Sequence, residues 1–226
     1  MITKMDVARA KQLLDTLDEK GVTLVAVSKT KPIADIRTLY DEGFRIFGEN
    51  RVQELVEKHE ALPKDIKWHM IGNLQKNKVK YIAPFVDLIH SVSSPSLLEK
   101  INSEGAKCER RIPVLLQLKI AAEDSKSGMD KEDLLHLISR INAGDLPHIK
   151  LKGLMGMATF TDDEVQIREE FSQLTACLKQ IDQTVFALAA EESPILSFGM
   201  SGDYEIAIDE GSNMVRIGSL IFGSRY

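Results

Sequence analysis

A lysine closes the first apolar run of the chain, in the stretch "LVAVSKTKP". An ammonium group beside a low-dielectric interior loses hydration, so Lys29 needs either a partner or a chemical use. A deprotonated lysine amine can attack an aldehyde or a ketone and form a Schiff base, which makes Lys29 the first candidate for chemistry. Lys29 could instead be a strand-end lysine whose ammonium group simply reaches solvent. Lys31 is a second candidate for the same chemistry, because the spacing places it on the same face.

Two segments near the end of the sequence, "GMSGDYEIAI" and "RIGSLIFG", could hold a phosphate. Ser201 stands where we expect a helix to begin, so its hydroxyl and the backbone N–H groups of Ser201 and Gly202 can face an anion, although a serine there can also be only a helix cap. Gly218 lets the backbone approach a ligand closely, and Ser219 adds a second hydroxyl. A phosphate held opposite a lysine would keep a phosphorylated aldehyde or ketone in place for Schiff-base formation.

Other polar side chains fall near the ends of predicted strands. Arg216 in "MVRIG" carries a permanent charge along a core strand, and a buried guanidinium demands a partner. His69 and His90 are interpreted as packing residues, because they show no metal-ligand spacing. Asn50 and Ser91 are the remaining polar residues at these strand ends, and together the group predicts one functional rim.

The elements that position these residues follow from an alternation of short apolar runs with longer amphipathic runs. We predict strands at "VTLVAVS", "FRIFGE", "IKWHMIG", "DLIHSV", "PVLLQLK", "LKGLMGMA", "ILSFG" and "MVRIG", with helices such as "PIADIRTLYDEG", "NRVQELVEKHEAL", "SPSLLEKINSEG" and "DKEDLLHLISRINAG". An opening helix precedes them, with Val7, Ala10, Leu14 and Leu17 near helical spacing. About eight βα units with nearly continuous apolar strands favour a closed α/β barrel of the (β/α)8 (TIM) type. An open doubly wound sheet is the alternative, but it would usually show a GxGxxG turn, which the sequence lacks.

Composition argues against several classes of function. The 226 residues carry a net charge of -5, which disfavours binding to nucleic acid or to a membrane surface. Cys108 and Cys177 are far apart and outside any Cys/His cluster, so we predict neither a disulfide framework nor a metal site. The amino terminus lacks the apolar stretch of a secretory signal, and no window approaches the roughly 20 apolar residues of a membrane span. We therefore expect a cytoplasmic protein with a single domain over residues 1–226, because only "SLIFGSRY" follows Gly218.

Six motifs, in order and nearly end to end, carry a resemblance to a known family: "VAVSKTKP", "FGEN", "WHMIGNLQKNK", "GLMGMA", "GMSGDYEIAI" and "VRIGSLIFG". The chain is similar to the pyridoxal phosphate homeostasis proteins. The resemblance implies an alanine-racemase-type barrel without the carboxy-terminal β domain of the racemases. It also implies pyridoxal 5'-phosphate (PLP) as the cofactor, and a role in buffering or delivering it that keeps vitamin B6, amino-acid and keto-acid pools in balance.

The resemblance also implies roles for individual residues. Lys29, the first lysine of "VSKTKP", would bind PLP as a covalent imine, and Asn50 would lie near the ring. Arg216 would face the pyridine nitrogen and disfavour its protonation, which weakens the ring as an electron sink. The other predicted cofactor-binding positions are Met157, Ser201, Gly202, Gly218 and Ser219.

Two positions depart from the family pattern. The family more often has threonine at the Ser219 position, and that exchange keeps a hydroxyl. Many relatives carry a neutral polar residue where this chain has Lys119, so an additional amine either faces the barrel mouth or points outward.

Three functions remain open from the sequence. The leading hypothesis is a non-catalytic carrier of PLP, a monomer that could supply apo-enzymes. A weak amino-acid racemase is the first alternative; it needs acid/base groups on both faces of its substrate. Alanine racemases take one of them, a tyrosine, from a partner chain's carboxy-terminal domain, and Tyr204 is badly placed to replace it. The second alternative is a cofactor-free Schiff-base aldolase that acts on a sugar phosphate.

Overall fold

Eight parallel strands close into a barrel in which the order of the strands in space is their order along the chain. The structure is a computed structural model that describes residues 5–122, 127–181, 185–186 and 193–223. The strands are β1 (Thr23–Val27), β2 (Ile46–Glu49), β3 (Lys67–Met70), β4 (Leu88–Val92), β5 (Ile112–Gln117), β6 (Ile149–Met155), β7 (Ile195–Ser197) and β8 (Met214–Ile217). The helices are α1 (Val7–Glu19), α2 (Ile33–Asp41), α3 (Val52–Ala61), α4 (Val79–Ile82), α5 (Pro95–Lys107), α6 (Lys131–Asn142), α7 (Glu164–Lys179), α8 (Tyr204–Asp209) and α9 (Ser219–Phe222), with a short 3-10 helix at Lys76–Lys78.

The barrel closes where β1 pairs with β8. Val25 lies opposite Arg216, and Ala26 lies opposite Ile217. Each strand predicted from the sequence overlaps one observed strand, so the (β/α)8 prediction is confirmed and the open doubly wound sheet is wrong. Because all strands are parallel, their carboxyl ends meet at one rim, where Lys29 and Asn50 lie as predicted. The prediction is wrong for His69 and His90, which lie buried inside the barrel.

Apolar side chains pack in two places. The larger core lies between the strands and the helices that cover them. A smaller cluster fills the inside of the barrel, and its buried members are Val25, Leu88, Leu115, Met155 and Met214. In β4 the two cores alternate: Leu88 belongs to the inner cluster and Ile89 to the outer one. The period of two along a strand therefore places His90 on the inner face with Leu88.

Polar side chains mark the starts of several helices. Asp6, Ser94, Asp130 and Asp163 each accept a hydrogen bond from a backbone N–H in the first turn of α1, α5, α6 and α7, respectively. These caps satisfy donors that have no partner within the helix. Ser94, Asp130 and Asp163 mark where the loops after β4, β5 and β6 end, and so help to shape the rim.

The described part of the chain has neither a membrane-spanning helix nor a cluster of metal ligands. No helix there is long and apolar enough to cross a bilayer. No group of three or more His, Cys, Asp or Glu side chains within the same residues is placed to hold a metal ion. Cys108 and Cys177 are free thiols.

Candidate functional site

A cavity of about 470 Å³ opens at the carboxyl-terminal rim of the barrel. Residues that end or follow β1, β2, β3, β6, β7 and β8 form its wall. All eight residues that the sequence predicts for cofactor binding line this one cavity: Lys29, Asn50, Met157, Ser201, Gly202, Arg216, Gly218 and Ser219. The structure thus brings together residues from both ends of the chain. That these residues contact a cofactor stays a prediction.

Lys29 lies just after β1, in a short turn that is held on both sides. On the amino-terminal side, the Ser28 hydroxyl donates to Oε1 of Glu49 at 2.6 Å. On the other side, the Thr30 backbone N–H donates to Oε2 of Glu54 at 2.8 Å, and Thr30 has a left-handed φ of 64°. The Lys29 side chain is half-buried and lines the cavity, while hydrogen bonds of its neighbours fix the backbone.

Lys58 of α3 joins the two sides of this turn. Its Nζ donates to the Ser28 carbonyl at 2.8 Å, to Oε1 of Glu49 at 2.7 Å and to Oε2 of Glu54 at 3.2 Å. Burial raises the pKa of Glu49 despite hydrogen bonds from Lys58 and Ser28. Burial alone would also raise the pKa of Glu54, but hydrogen bonds from Thr30 and Lys58 lower it. We name Ser28, Glu49, Glu54 and Lys58 the β1 clamp; apart from the "FGEN" glutamate, sequence reasoning did not single them out.

Lys31, the other lysine that the sequence left open, lines the same cavity. Its Nζ donates to the Phe222 carbonyl at 3.2 Å and lies 5.9 Å from the centre of the Phe222 ring. This contact ties the loop after β1 to α9. Both Lys29 and Lys31 therefore line the cavity. Chemical labelling is needed to decide which of the two amines reacts with a ligand.

The two predicted phosphate segments meet at one side of the cavity. The Gly218 backbone N–H donates to Oγ of Ser201 at 3.3 Å. A Cβ added to Gly202 would meet nothing within 4 Å, whereas one added to Gly218 would lie 3.2 Å from the Val27 carbonyl oxygen. Gly202 therefore borders open space, while Gly218 packs close to β1. Ser219 is exposed and begins α9.

One local prediction about these segments is wrong. Helix α8 begins at Tyr204 with Asp203 at its N-cap position, so Ser201 lies before the helix and is not its cap. Oδ1 of Asp203 accepts a hydrogen bond from the Met200 backbone N–H, which closes a tight turn around Ser201. The Ser201 hydroxyl therefore faces the loop after β8 instead of the first turn of α8.

Arg216 reaches the cavity wall from the inner face of β8 and is 4% exposed. Its Nη1 donates to the carbonyl and the hydroxyl of Ser197 at 2.7 and 2.8 Å, and its Nη2 donates to the Gly156 carbonyl at 3.1 Å. A guanidinium has five N–H donors, and the described residues accept three of them. The N–H of Nε and one hydrogen of Nη2 therefore remain for a ligand. Burial lowers the pKa of Arg216 to about 10, against the attraction of Asp203, and the group is still a cation at neutral pH.

A line of polar side chains that sequence reasoning missed continues from Arg216 through the barrel. Oγ of Ser197 lies 3.0 Å from Nδ1 of His90, and Nε2 of His90 lies 2.9 Å from Nδ1 of His69. Nε2 of His69 lies 3.5 Å from Oδ2 of Asp87. Burial lowers the pKa of His69, and burial together with His69 and Arg216 lowers the pKa of His90 well below its ordinary value. We name these five residues the barrel chain.

Three other residues noted in the sequence lie outside the cavity lining. Ser91 donates its hydroxyl to the Gly72 carbonyl. Lys119 is exposed and is not among the residues that line the cavity. The Tyr204 hydroxyl donates to Oε1 of Glu205 at 3.1 Å.

Comparison with known proteins identifies the family. The family model for the alanine racemase N-terminal domain matches residues 7–226. The chain is 40% identical over 210 residues to the pyridoxal phosphate homeostasis protein of Pasteurella multocida, and the match covers 92% of this chain and 88% of that protein. The chain belongs to the pyridoxal phosphate homeostasis protein family. The human member of this family is 37% identical over 211 residues, with 89% of this chain and 76% of the human protein covered.

Solved structures extend the comparison to the fold. PipY of Synechococcus elongatus PCC7942, at 32% identity, matches with a TM-score of 0.83 in its structure without PLP and 0.79 in its structure with PLP bound, over 95% of this chain and 100% of PipY. Alanine racemase from Bartonella henselae matches with a TM-score of 0.71 at 18% identity, over 98% of this chain and 62% of the racemase. That second likeness shows the shared barrel alone. The chain therefore has the alanine-racemase-type barrel that its family resemblance implied.

Proposed function

We propose that this protein binds pyridoxal 5'-phosphate in the rim cavity and acts as a cytoplasmic carrier or buffer of that cofactor. The observation that carries the proposal is the convergence of Lys29, two segments rich in glycine and serine, and Arg216 on one cavity. A family member, PipY, has a solved structure with PLP bound, and the relatives are named for PLP homeostasis. We further propose that residues 1–226 act as one cofactor-binding domain, that the protein is a monomer, and that apo-enzymes using PLP are the recipients.

An anionic group such as the cofactor phosphate fits the side of the cavity where the two predicted segments meet. Ser201 and Ser219 each bring a hydroxyl, and Gly202 borders open space in which an anion can approach the backbone. The charged residues of the lining are Lys29, Lys31, Asp162, Asp203 and Arg216. Positive charges therefore outnumber negative ones around the cavity, which favours an anionic ligand.

An aromatic ring with an acceptor nitrogen fits the part of the cavity next to Arg216. Ile71 and Met157 offer half-buried apolar side chains to its faces, and Asn50 offers an amide. The free Nε–H of Arg216 can donate to an unprotonated pyridine nitrogen. A cation beside that nitrogen opposes its protonation and leaves the ring a weak electron sink, which favours storage of PLP over carbanion chemistry.

Lys29 is the residue that we propose for the covalent bond. Bound PLP supplies an aldehyde, and the neutral amine of Lys29 adds to it to give a Schiff base with release of one water molecule. The β1 clamp holds the backbone on both sides of Lys29, while the lysine side chain keeps its rotatable bonds. Lys29 can therefore reach the ligand without movement of the barrel.

Reduction with borohydride tests this assignment. Protein loaded with PLP should be yellow, and borohydride should fix the cofactor on a peptide that contains Lys29, as mass spectrometry will show. Lys29→Ala should abolish the fixed adduct, whereas Lys31→Ala, the matched control at the same cavity, should retain it. An adduct on Lys31 in the wild-type protein would overturn the assignment.

A weak amino-acid racemase is the rival function, because Lys31 brings a second amine to the cavity. Racemisation requires acid/base groups on both faces of the substrate, and Tyr204 contacts Glu205 outside the lining. Incubation with L-alanine and L-serine, followed by chiral chromatography, separates the two functions. A carrier gives no D-enantiomer, whereas steady turnover lost in both Lys29→Ala and Lys31→Ala establishes the racemase. A cofactor-free aldolase would instead be colourless when purified and would stay so until its substrate is trapped.

A further inference from the structure

The barrel chain crosses the interior from the rim cavity towards the opposite end of the barrel. It starts at Arg216 in the cavity wall and ends at Asp87, which precedes β4 and has a side chain that is 50% exposed. Its inner members, Ser197, His90 and His69, are 0%, 0% and 2% exposed. Buried polar groups destabilise a fold unless each has a partner, and here each group lies within 3.5 Å of the next.

The two ends of this chain set its direction, because the Arg216 guanidinium only donates and the Asp87 carboxylate only accepts. Oγ of Ser197 accepts from Nη1 of Arg216 and has its own proton for Nδ1 of His90. His90 then carries its proton on Nε2 and donates it to Nδ1 of His69. His69 in turn carries its proton on Nε2, on the side of the Asp87 carboxylate. Both histidines are therefore neutral and share one tautomer.

The same contacts fix the plane of the guanidinium. Nη1 is held by two acceptors on Ser197, and Nη2 is held by the Gly156 carbonyl after β6. A rotated Arg216 would leave the buried carbonyls of Ser197 and Gly156 and Oγ of Ser197 without this donor, which costs free energy. The reversed chain is unfavourable, because it would place an unprotonated Nε2 of His69 against the Asp87 carboxylate, with two acceptors facing each other. Nε and the second hydrogen of Nη2 are consequently left for the cavity.

We propose that Ser197 and His90 are positioning residues through which the barrel chain holds Arg216 as a preset donor for the ring nitrogen of the bound cofactor. The identity of the ligand rests on the proposed function, whereas the tautomer pattern belongs to the protein without ligand. Ser197 and His90 lie outside the cavity lining, so they act through Arg216 alone. A donor that is oriented before binding reduces the ordering that the ligand must impose.

Nitrogen-15 spectra of histidine in the full-length, ligand-free protein test the direction of the chain. We expect both His69 and His90 to show a protonated Nε2 and an unprotonated Nδ1 at neutral pH. A proton on Nδ1 of His90 in the wild-type protein, whether alone or together with one on Nε2, would contradict the proposal.

Ser197→Ala tests the positioning role. We expect His90 to lose its single tautomer, the absorption maximum of bound PLP to shift, and the Kd for PLP to rise about tenfold, because Nη1 and Nδ1 lose their common partner. Ser197→Thr keeps the hydroxyl and should restore all three readouts. The matched control is Ser212→Ala: Ser212 is also buried and hydrogen-bonds the Leu196 and Phe198 carbonyls, but it is not part of the barrel chain. This control should lower stability without changing the His90 tautomer or the PLP absorption.

The possible failures are distinguishable. If Ser197→Ala binds PLP with unchanged Kd and absorption, the positioning role is wrong, while the proposed function still stands on the adduct at Lys29. If the wild-type protein takes up no PLP, the inference and the proposed function fall together. The wild-type histidine spectrum needs no variant, so it decides the direction of the chain even if Ser197→Ala does not fold.

Discussion

The β1 clamp and the barrel chain are two buried polar networks that flank one cavity, and they are built from different partners. The clamp uses full charges, with Lys58 between the carboxylates of Glu49 and Glu54. The chain places a serine and two neutral histidines between a cation and a half-exposed carboxylate. The clamp holds the backbone around a side chain that must reach a ligand, whereas the chain holds a side chain that must stay still. One network thus fixes the backbone beside Lys29, and the other fixes the side chain of Arg216.

Lys58→Met should show the largest effect, because it removes the only cation of the clamp among the described residues and leaves Glu49 buried without its charge partner. The Lys58 and Glu49 side chains are 7% and 0% exposed, respectively. Breaking one side of such a buried pair typically costs about 3–5 kcal/mol, and urea unfolding at pH 7 measures it. The control is Lys11→Met, because the Lys11 ion pair with Asp15 is exposed and contributes less than about 1 kcal/mol. Equal losses in the two variants would show that the clamp contributes no more than a surface pair.

Acidification should affect the buried histidines of the barrel chain and Glu49 of the β1 clamp with opposite signs. The pKa values of His69 and His90 are lowered in the folded protein, so below about pH 6.5 the unfolded chain binds more protons and stability falls. The pKa of Glu49 is raised, so its protonation as pH falls favours the folded state. A group that is protonated in only one of the two states changes stability by about 1.4 kcal/mol per pH unit.

Urea midpoints between pH 7.5 and 4.5, the ordinary pKa of a glutamate, measure this difference. We expect His90→Gln to flatten the loss of stability on acidification, because it removes a group that must stay neutral in the folded protein. Glu49→Gln should make the loss steeper, because it removes the opposing contribution. Parallel curves for wild type and His90→Gln would mean that His90 has an ordinary pKa, and the description of a neutral chain would then fail.

Thr30→Gly should have the smallest effect on stability and a selective effect on binding. Thr30 and Glu109 are the described non-glycine residues with positive φ, at 64° and 54°. Glycine relieves the strain of this conformation but adds freedom to the unfolded chain, so each substitution should change stability by less than about 1 kcal/mol. Thr30→Gly should also weaken PLP binding a few-fold, because the turn that carries Lys29 loosens. Glu109→Gly, far from the cavity, should leave the Kd unchanged, and a similar Kd for both variants would show that the turn needs no such restraint.

The barrel and the residues at its rim could be predicted from the sequence, because both leave a local signal. Eight apolar runs alternate with amphipathic runs, and this alternation is visible in the sequence without knowledge of how the side chains pack. Lys29 and Arg216 are recognisable because each interrupts an apolar strand pattern with a charge. The start of α8 was missed because Asp203 takes the N-cap position two residues after the serine that looked like a cap.

The two polar networks could not be predicted, because their partners meet only through the strand register. His90 and Ser197 are 107 positions apart, and no local pattern connects them. Lys58 left a weaker trace: Val52, Leu55 and Lys58 follow at intervals of three on the buried face of α3. A lysine on an apolar helix face signals a buried partner, but the identity of that partner depends on how α3 packs against β2.

The pairing of β1 with β8 closes the barrel between the earliest and the latest strand of the chain. The cavity therefore combines Lys29 from the first βα unit with Arg216 and Ser219 from the last. During translation the amino-terminal segments leave the ribosome first, so the binding site has no complete wall until residue 219 has been added and released. A chain that ends before β8 consequently lacks one side of this cavity.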